Sequence, residues 1–233
     1  MAFIFPPEAH IAVPVAGSDD SIAVRRVYCV GRNYAAHARE MGFDPDREPP
    51  FFFCKPDNAV VPVRYGETLE LAYPAQTLNY HYEAELVAVI GKSGSDIAVE
   101  NALDYVWGYA VGLDMTRRDL QMKQREMGRP WELGKAFDRS APIGPIHRVS
   151  EVGHFENGGL WLTVNGETKQ KSDVSQLIWS VPETVSYLSK FFRLQPGDLI
   201  YTGTPEGVGP VVAGETMVVG VEGLGELKVK VVE

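Results

Sequence analysis

The chain has 233 residues, and its 22 Lys and Arg against 31 Asp and Glu give a formal net charge of −9. This acidic balance argues against a protein that binds nucleic acid or an anionic membrane surface through clustered basic residues. With 45 % hydrophobic and 23 % charged residues, the chain has the composition of a globular protein rather than a disordered one.

The N-terminal residues 1–23 are predicted to be an irregular, proline-containing lead-in, and residues 24–233 a single domain. No repeat, low-complexity tract or linker divides that second part. The first strand is predicted over residues 24–30, where β-forming residues precede Gly31. A short helix is predicted over residues 33–41, with Asn33 as its cap, followed by a polar loop over 43–50.

The remaining elements follow from alternating or continuous apolar runs bounded by Gly and Pro. Strands are predicted over residues 51–55, 83–91, 106–114, 160–164, 167–170, 199–201, 216–221 and 227–232, strand pieces over 69–83, short helices over 99–105, 116–128 and 182–192, and a loop-rich region over 132–145. Asn165-Gly166 is the strongest hairpin signal. Strands outnumber short helices, so the sequence predicts a mixed, β-rich α+β fold.

Cysteine usage and the N-terminal sequence predict a cytoplasmic protein. Cys29 and Cys54 form no CxxC pair and are expected to be reduced, buried thiols. The first residues carry no basic group before their short apolar stretch, which prolines then interrupt, so no signal peptide is predicted. No apolar run reaches the roughly 18 residues of a membrane helix.

Three carboxylates predict a metal site. Glu83 and Glu85 are two apart on a strand and therefore share one face, and Asp114 ends another buried strand. Like charges at a buried position need a cation between them, and oxygen ligands favour Mg²⁺ or Mn²⁺. Two alternatives remain open: both glutamates could face solvent on an edge strand, and Asp114 could cap a helix.

Further candidates lie on the helix and in two Gly-containing segments. His37 and Glu40 are three apart, so the carboxylate can orient the imidazole as a general base, unless both lie on an ordinary surface helix. Lys135 is either a positioned cation or a solvated lysine. The segment 203–209 could present backbone N–H groups and the Thr204 hydroxyl to an anion, or it is a simple turn.

The order of these motifs resembles the fumarylacetoacetate hydrolase family. The matching motifs, in chain order, are VGRNY from Val30, His37-x-x-Glu40, Lys55-Pro56, Tyr82-Glu83-x-Glu85, Gly112-x-Asp114-x-Thr116-x-Arg118-Asp119-Leu120-Gln121, Lys135, Pro196-Gly197-Asp198 and TGTP-x-GVG from Thr202. They run from about residue 24 to the C-terminus. Residues 25–53 are most similar to the family's fumarylpyruvate-hydrolysing branch of gentisate degradation.

This resemblance implies a β-sandwich roll with few short helices, and a homodimer. It implies Mg²⁺ or Mn²⁺ bound by Glu83, Glu85 and Asp114, with His37 and Glu40 as the dyad that activates water. Lys135 would lie beside the substrate oxo group and stabilise the pyruvate enolate together with the metal. Substrate contacts are expected from Arg32, Lys55, Arg118, Gln121 and Thr204.

The expected reaction is the hydrolysis of fumarylpyruvate, a small-molecule dicarboxylate, to fumarate and pyruvate. Alternatives inside the family are an oxaloacetate decarboxylase and a broad acylpyruvase, and a catalytically silent binding protein is a third possibility. A cation that pairs with the distal fumaryl carboxylate would distinguish fumarylpyruvate hydrolysis from these alternatives. The candidates for that cation are Arg32, Arg47, Arg118 and Lys123.

Overall fold

The computed structural model describes residues 3–6, 8–40 and 48–233. The strands are β1 (Ala12–Pro14), β2 (Ser21–Ala23), β3 (Arg26–Gly31), β4 (Phe51–Lys55), β5 (Val60–Pro62), β6 (Thr68–Ala72), β7 (Tyr80–Tyr82), β8 (Ala84–Ile90), β9 (Val106–Leu113), β10 (Thr116–Arg117), β11 (Ala141–Ile143), β12 (His147–Arg148), β13 (Gly159–Val164), β14 (Glu167–Asp173), β15 (Asp198–Tyr201), β16 (Gly209–Pro210), β17 (Thr216–Val221) and β18 (Gly225–Val232). The α-helices are α1 (Ala35–Glu40), α2 (Arg118–Glu126), α3 (Glu132–Lys135), α4 (Val149–Val152) and α5 (Val181–Ser189), and short 3-10 helices cover Asp57–Ala59, Val99–Tyr105 and Val174–Gln176.

Two large sheets form the body of the molecule. The larger has the order β4-β3-β15-β8-β9-β11-β5, with β12 also pairing with β9, and the smaller has the order β14-β13-β17-β18-β6. A three-stranded sheet, β10-β7-β16, and the hairpin β1-β2 complete the strands of the described residues. This is the β-rich sandwich with few short helices that the sequence and its resemblance predicted.

The core explains why β8 reads as a continuous apolar run. Its alternate residues Leu86 and Ala88 face the smaller sheet, whereas Val87 and Val89 belong to a second apolar cluster on the opposite face. A strand covered on both faces loses the polar–apolar alternation of a half-exposed strand. Strand β13 keeps that alternation, with every second residue buried.

The N-terminal lead-in contains more regular structure than predicted. Strands β1 and β2 form an antiparallel hairpin, and Val13 is fully buried in the second apolar cluster. The prediction of an irregular segment was wrong because both strands have only three residues, too few to display an alternation. The division at residue 23 between a lead-in and a catalytic domain stays a prediction.

Two other local predictions need correction. The loop-rich region 132–145 holds helix α3 and strand β11, elements of four and three residues that periodicity cannot resolve. Cys29 is buried as expected, but Cys54 is exposed, since it lies on β4 at the edge of the larger sheet. Residue 41 of the predicted helix, and residues 43–47 of the predicted loop, lie outside the described residues.

The other predicted elements agree with the structure to within a few residues, whereas β5, β12, α4 and β16 were not predicted. The Asn165-Gly166 turn has φ values of 50° and 83°, as a two-residue hairpin with left-handed central residues requires. Helix α5 begins with a capping box between Ser180 and Glu183. Among the described residues, no helix has the length and apolar character needed to cross a membrane.

Candidate metal centre and active site

Strand register brings the three predicted metal ligands together. Strands β8 and β9 pair antiparallel with Ala84 opposite Leu113, so Glu83 and Asp114 are direct neighbours just beyond that pair. The Asp114 N–H donates to the Glu83 carbonyl at 2.9 Å. Glu85 lies two residues further along β8 on the same face as Glu83, and carboxylate oxygens of the three residues lie within 4.8 Å of one another. All three are buried, which excludes the solvent-facing alternative for the glutamates.

Three buried cations surround these carboxylates. The Lys135 ammonium donates to Glu83 Oε2 and to Asp114 Oδ2, both at 2.7 Å. The Arg118 guanidinium donates to Glu83 Oε1 at 2.5 Å, and Lys55 Nζ lies 2.8 Å from Asp114 Oδ1. We call these six residues the charge cluster; three carboxylates and three cations give it a formal charge of zero.

Neighbouring opposite charges set the protonation of two members of the charge cluster. Burial acts to raise the pKa of Glu83, but the charges of Lys135 and Arg118 outweigh it and hold that pKa well below its usual value. Burial acts to lower the pKa of Lys135, yet Asp114 and Glu83 keep it above its usual value. Lys135 is therefore a positioned, charged group and not a solvated lysine.

Glu85 has a different environment from Glu83. Burial, followed by the charges of Asp114 and Glu83, raises the pKa of Glu85 well above its usual value. One Glu85 oxygen accepts the Gly203 N–H at 2.7 Å. Of the three carboxylates, Glu85 is thus the one with no cation bonded to it among the described residues.

The donor set fits a hard divalent cation. Asp114 Oδ1 is a buried oxygen without a hydrogen bond among the described residues, although the Lys55 ammonium lies 2.8 Å away. A buried oxygen that accepts no hydrogen bond calls for a further partner, such as a bound ion. The three clustered carboxylates offer only oxygen ligands, the set that Mg²⁺ and Mn²⁺ prefer.

The dyad lies on α1, directly after strand β3. His37 is buried, and its Nδ1 lies 3.3 Å from Glu40 Oε2. A carboxylate at Nδ1 favours the tautomer with hydrogen on Nδ1, which leaves Nε2 able to accept a proton. Burial lowers the pKa of His37 below its usual value, against the opposing charges of Glu83 and Glu40, so the neutral base form is favoured at neutral pH.

Asn33 has a different role from the predicted one. Its side chain donates to the carbonyls of Thr202 at 2.7 Å and Trp179 at 2.9 Å, and accepts the Trp179 N–H at 2.7 Å. It therefore joins the start of α1 to the end of β15 instead of capping the helix. The expectation of a helix cap overlooked that a buried amide also finds distant backbone partners.

The segment after β15 contacts both the carboxylates and the dyad. The Gly203 N–H binds Glu85, and the Gly207 N–H lies 3.2 Å from both carboxylate oxygens of Glu40. Gly203 has a φ of +106°, and a Cβ there would contact Asn33 Cβ at 2.7 Å. The segment is thus a tight turn that also presents backbone donors to carboxylates. It therefore has features of both alternatives predicted for residues 203–209, a simple turn and a segment that binds an anion.

One pocket, partly open to solvent, collects these groups. Nine of the eleven predicted site residues line it: Arg32, His37, Glu83, Glu85, Asp114, Arg118, Gln121, Lys135 and Thr204. Glu40 lies behind His37. Lys55 lies behind Asp114, with its ammonium bonded to Ser140 Oγ and to the Met115 and Lys135 carbonyls. This placement gives Lys55 a supporting role in place of the predicted substrate contact.

The cations predicted for the distal carboxylate separate into groups. Arg118 lies at the carboxylate end of the pocket, where Glu83 and Gln121 bind its guanidinium. Lys123 is exposed and does not line the pocket, and Arg47 lies outside the described residues. Arg32 lines the pocket with Arg125, a residue that the sequence analysis missed.

A pattern in the sequence could have found Arg125. Arg118, Gln121 and Arg125 recur at i, i+3 and i+7 on α2 and therefore share one helix face. Trp131 also lines the pocket, and Gln170 binds the pocket residue Thr204. No spacing pattern in the sequence indicates either residue. Trp131 packs edge-on against Phe51 at 5.4 Å and reaches the pocket only through the tertiary fold.

Comparison with known proteins identifies relatives over nearly the whole chain. The fumarylacetoacetate (FAA) hydrolase C-terminal family matches residues 26–232. A fumarylpyruvate hydrolase of Ralstonia sp is 48 % identical over 188 residues, which cover 81 % of this chain and 95 % of that protein. A mitochondrial oxaloacetate tautomerase of Arabidopsis thaliana is 43 % identical, covering 87 % of this chain and 89 % of the relative.

A solved structure is similar throughout. The crystal structure of fumarylpyruvate hydrolase from Pseudomonas aeruginosa, in complex with Mn²⁺ and pyruvate, superposes with a TM-score of 0.98 at 69 % sequence identity. The match covers 99 % of this chain and 99 % of that one.

Proposed function

The chain belongs to the fumarylacetoacetate hydrolase family, and we propose that it hydrolyses the C3–C4 bond of fumarylpyruvate to give fumarate and pyruvate. The observation that carries this proposal is one pocket that joins a water-activating dyad to a carboxylate triad suited to a metal. The related fumarylpyruvate hydrolases support the same reaction class.

The carboxylate end of the pocket would hold the pyruvate half of the substrate. Glu83, Glu85 and Asp114 would bind Mg²⁺ or Mn²⁺, which supplies Lewis-acid stabilisation of the negative charge that develops on the pyruvate oxygens. Lys135 adds a fixed positive charge at the same end, and its burial strengthens that electrostatic effect. Gln121 and Thr204 line the wall from which an amide and a hydroxyl can reach substrate oxygens.

The dyad then activates water. His37 Nε2 accepts a proton from the water molecule that adds to the 4-oxo carbon, and Glu40 stabilises the imidazolium that forms. The C3–C4 bond breaks with its electron pair going to the pyruvate enolate, whose charge Lys135 helps to hold. His37 then gives its proton to the enolate carbon, which yields pyruvate, and the new carboxylic acid leaves as fumarate after losing its proton to solvent.

The opposite end of the pocket suits a second carboxylate. Arg125 is seven residues beyond Arg118 on α2, which places the two backbone positions about 10 Å apart along the helix. Burial, followed by the charge of Arg125, lowers the pKa of Arg32, so the two guanidinium groups feel each other's charge. A carboxylate at the far end of a bound substrate would be attracted by both guanidinium groups.

This arrangement reconciles a net charge of −9 with a dianionic substrate. The acidic surface gives no long-range attraction for an anion. Binding must come from local positive charge at both ends of the pocket, and metal removal should therefore weaken substrate binding as well as turnover.

A substrate panel with Mg²⁺ and Mn²⁺ tests the proposal. Fumarylpyruvate, maleylpyruvate, acetylpyruvate and oxaloacetate would be compared by loss of enol absorbance and by pyruvate release. We expect the highest kcat/KM with fumarylpyruvate. A strong preference for acetylpyruvate would instead indicate a broad acylpyruvase.

The distal cation is tested by Arg125→Met, with Lys123→Met as the matched control on the same helix. Loss of a charged hydrogen bond costs about 1.5–3 kcal/mol, so KM for fumarylpyruvate should rise roughly 10- to 100-fold, with little change for acetylpyruvate. Lys123→Met should leave both unchanged. An equal effect of Arg125→Met on both substrates would contradict this assignment.

Oxaloacetate is the second candidate substrate, and the oxaloacetate tautomerase of Arabidopsis thaliana favours it. The carboxylate end of the pocket could stabilise the same enolate, but that chemistry requires no attacking water and no distal cation. A dominant oxaloacetate decarboxylase activity in the panel would replace the proposed reaction and leave the metal ligands unchanged.

A homodimer and a cytoplasmic location stay predictions from the sequence. Light scattering coupled to size-exclusion chromatography measures the first directly.

A further inference from the structure

Gln170 lies outside the pocket and connects the strand that carries Glu85 to the segment that carries Thr204. It lies on β14 of the smaller sheet and is 1 % exposed. Its Oε1 accepts the N–H of Ala84, the residue between Glu83 and Glu85, at 3.0 Å. Its Nε2 donates to Thr204 Oγ1 and to the Pro205 carbonyl, both at 2.9 Å.

The partners fix the orientation of this amide. The Ala84 N–H can only donate, so it must face the oxygen of the Gln170 side chain. The Pro205 carbonyl can only accept, so it must face the nitrogen. A flipped amide would place a donor against the Ala84 N–H and an acceptor against the Pro205 carbonyl. Only one orientation of the Gln170 amide therefore satisfies both partners.

This orientation also decides the direction of the Thr204 hydroxyl. Because Gln170 Nε2 donates to Thr204 Oγ1, the hydroxyl accepts on that side and its own hydrogen points elsewhere. Among the described residues, the Thr204 hydroxyl donates no hydrogen bond. Thr204 lines the pocket, so the hydrogen is available to an oxygen of a bound molecule.

We propose that Gln170 is a positioning residue that holds the Thr204 hydroxyl as a donor toward substrate and fixes the strand that carries Glu83 and Glu85. The segment after β15 also approaches β14 at Gly207, where a Cβ would collide with the Lys169 carbonyl. Gln170 thus ties this segment to the start of β8 across the two sheets. The inference rests on the proposed function, because it assigns Thr204 and the carboxylates to substrate and metal.

Two substitutions separate the ends of the amide. Gln170→Glu keeps an oxygen for the Ala84 N–H but replaces the donor at Thr204 with an acceptor, so the hydroxyl turns toward the new carboxylate. We expect KM for fumarylpyruvate to rise about tenfold or more, with Mn²⁺ affinity within about twofold of the wild-type value. Gln170→Met removes both ends, and should also raise the Kd for Mn²⁺ about tenfold in titration calorimetry.

A double-mutant cycle tests whether Gln170 acts through Thr204. Thr204→Val should raise KM by itself, and adding Gln170→Glu should raise it no further. Ser189→Ala is the matched control, since Ser189 Oγ also accepts a backbone N–H, from Ile97 at 2.9 Å, and donates to the Ser186 carbonyl at 2.7 Å, outside the pocket. It should lower the Tm without changing KM or the Kd for Mn²⁺.

Additive effects in the cycle, or Gln170 variants that lose only thermal stability as Ser189→Ala does, would overturn the inference. If Gln170→Met does not fold, Gln170→Glu and the cycle still decide the question. If the wild-type enzyme fails to hydrolyse fumarylpyruvate, the proposed function falls, whereas the Mn²⁺ titration of Gln170→Met still tests the hold on β8.

Discussion

Replacing Lys55 by Met would unbalance the charge cluster while keeping most of the side-chain volume. The Lys55 ammonium has no exposed surface, and it donates to the Met115 carbonyl at 3.3 Å, to Ser140 Oγ at 2.9 Å and to the Lys135 carbonyl. Its removal leaves Asp114 with Lys135 as its remaining cation and changes the formal charge of the cluster from zero to −1.

The expected loss of stability is large without metal. Removing one partner of a buried ion pair costs about 3–5 kcal/mol, and here the charge cluster is left with one excess negative charge in the interior. At about 2–4 °C per kcal/mol for a chain of this size, the Tm should fall by about 6–20 °C. Lys123→Met, which removes an exposed charge, should change stability by no more than about 0.5 kcal/mol.

Divalent metal should restore part of this stability. A cluster of charge −1 attracts Mn²⁺ more strongly than a neutral one, and tenfold tighter binding corresponds to about 1.4 kcal/mol of added stabilisation. The assay is urea unfolding of the wild type and both variants, in EDTA and in saturating Mn²⁺. An equal loss for Lys55→Met in both conditions would refute the reasoning, because it would mean that the lysine acts through packing alone.

Four further experiments address the dyad, the metal ligands and the turn after β15. His37→Ala should lower kcat by about 10²–10⁴-fold and leave Mn²⁺ binding intact in calorimetry; full activity would exclude His37 as the base. Since burial lowers the pKa of His37, the acid limb of the wild-type kcat/KM profile should lie below pH 6.5, and activity should fall as the pH decreases through it; a limb above pH 6.5 would contradict this environment. Asp114→Ala should abolish Mn²⁺ binding and turnover together, so activity that survives without metal binding would argue against the ligand set. Gly203→Ala should lower the Tm and the activity, because the residue has a φ of +106° and faces Asn33; an unchanged Tm would mean that the turn tolerates a Cβ.

The sequence predicted the fold where its elements are long or punctuated. The apolar runs of β8 and β9, the Asn165-Gly166 hairpin and the proline-started helix α5 all have strong local signals. Strands of two or three residues, such as β1, β2 and β11, depend on pairing with distant segments, and no pattern of that length predicts them.

The site follows the same division. Glu83, Glu85 and Asp114 could be grouped because strand periodicity and strand ends determine where they point. The role of Lys55 could not, since an ammonium buried behind a carboxylate and one on a pocket wall look identical in sequence. Gln170 was missed because its function depends on a contact between two sheets, 86 residues away from Ala84 along the chain.

The zero charge of the buried cluster limits the order in which this sequence can diverge. A mutation that removes one member leaves an uncompensated ion in the interior, so an intermediate with one change is less stable than either end point. Variants that alter these positions should therefore have acquired a cation and a carboxylate change together, or a compensating change in close succession. Engineering of the pocket faces the same barrier, and libraries that vary these six residues in charge-balanced pairs should give more folded enzymes than libraries that vary them one at a time.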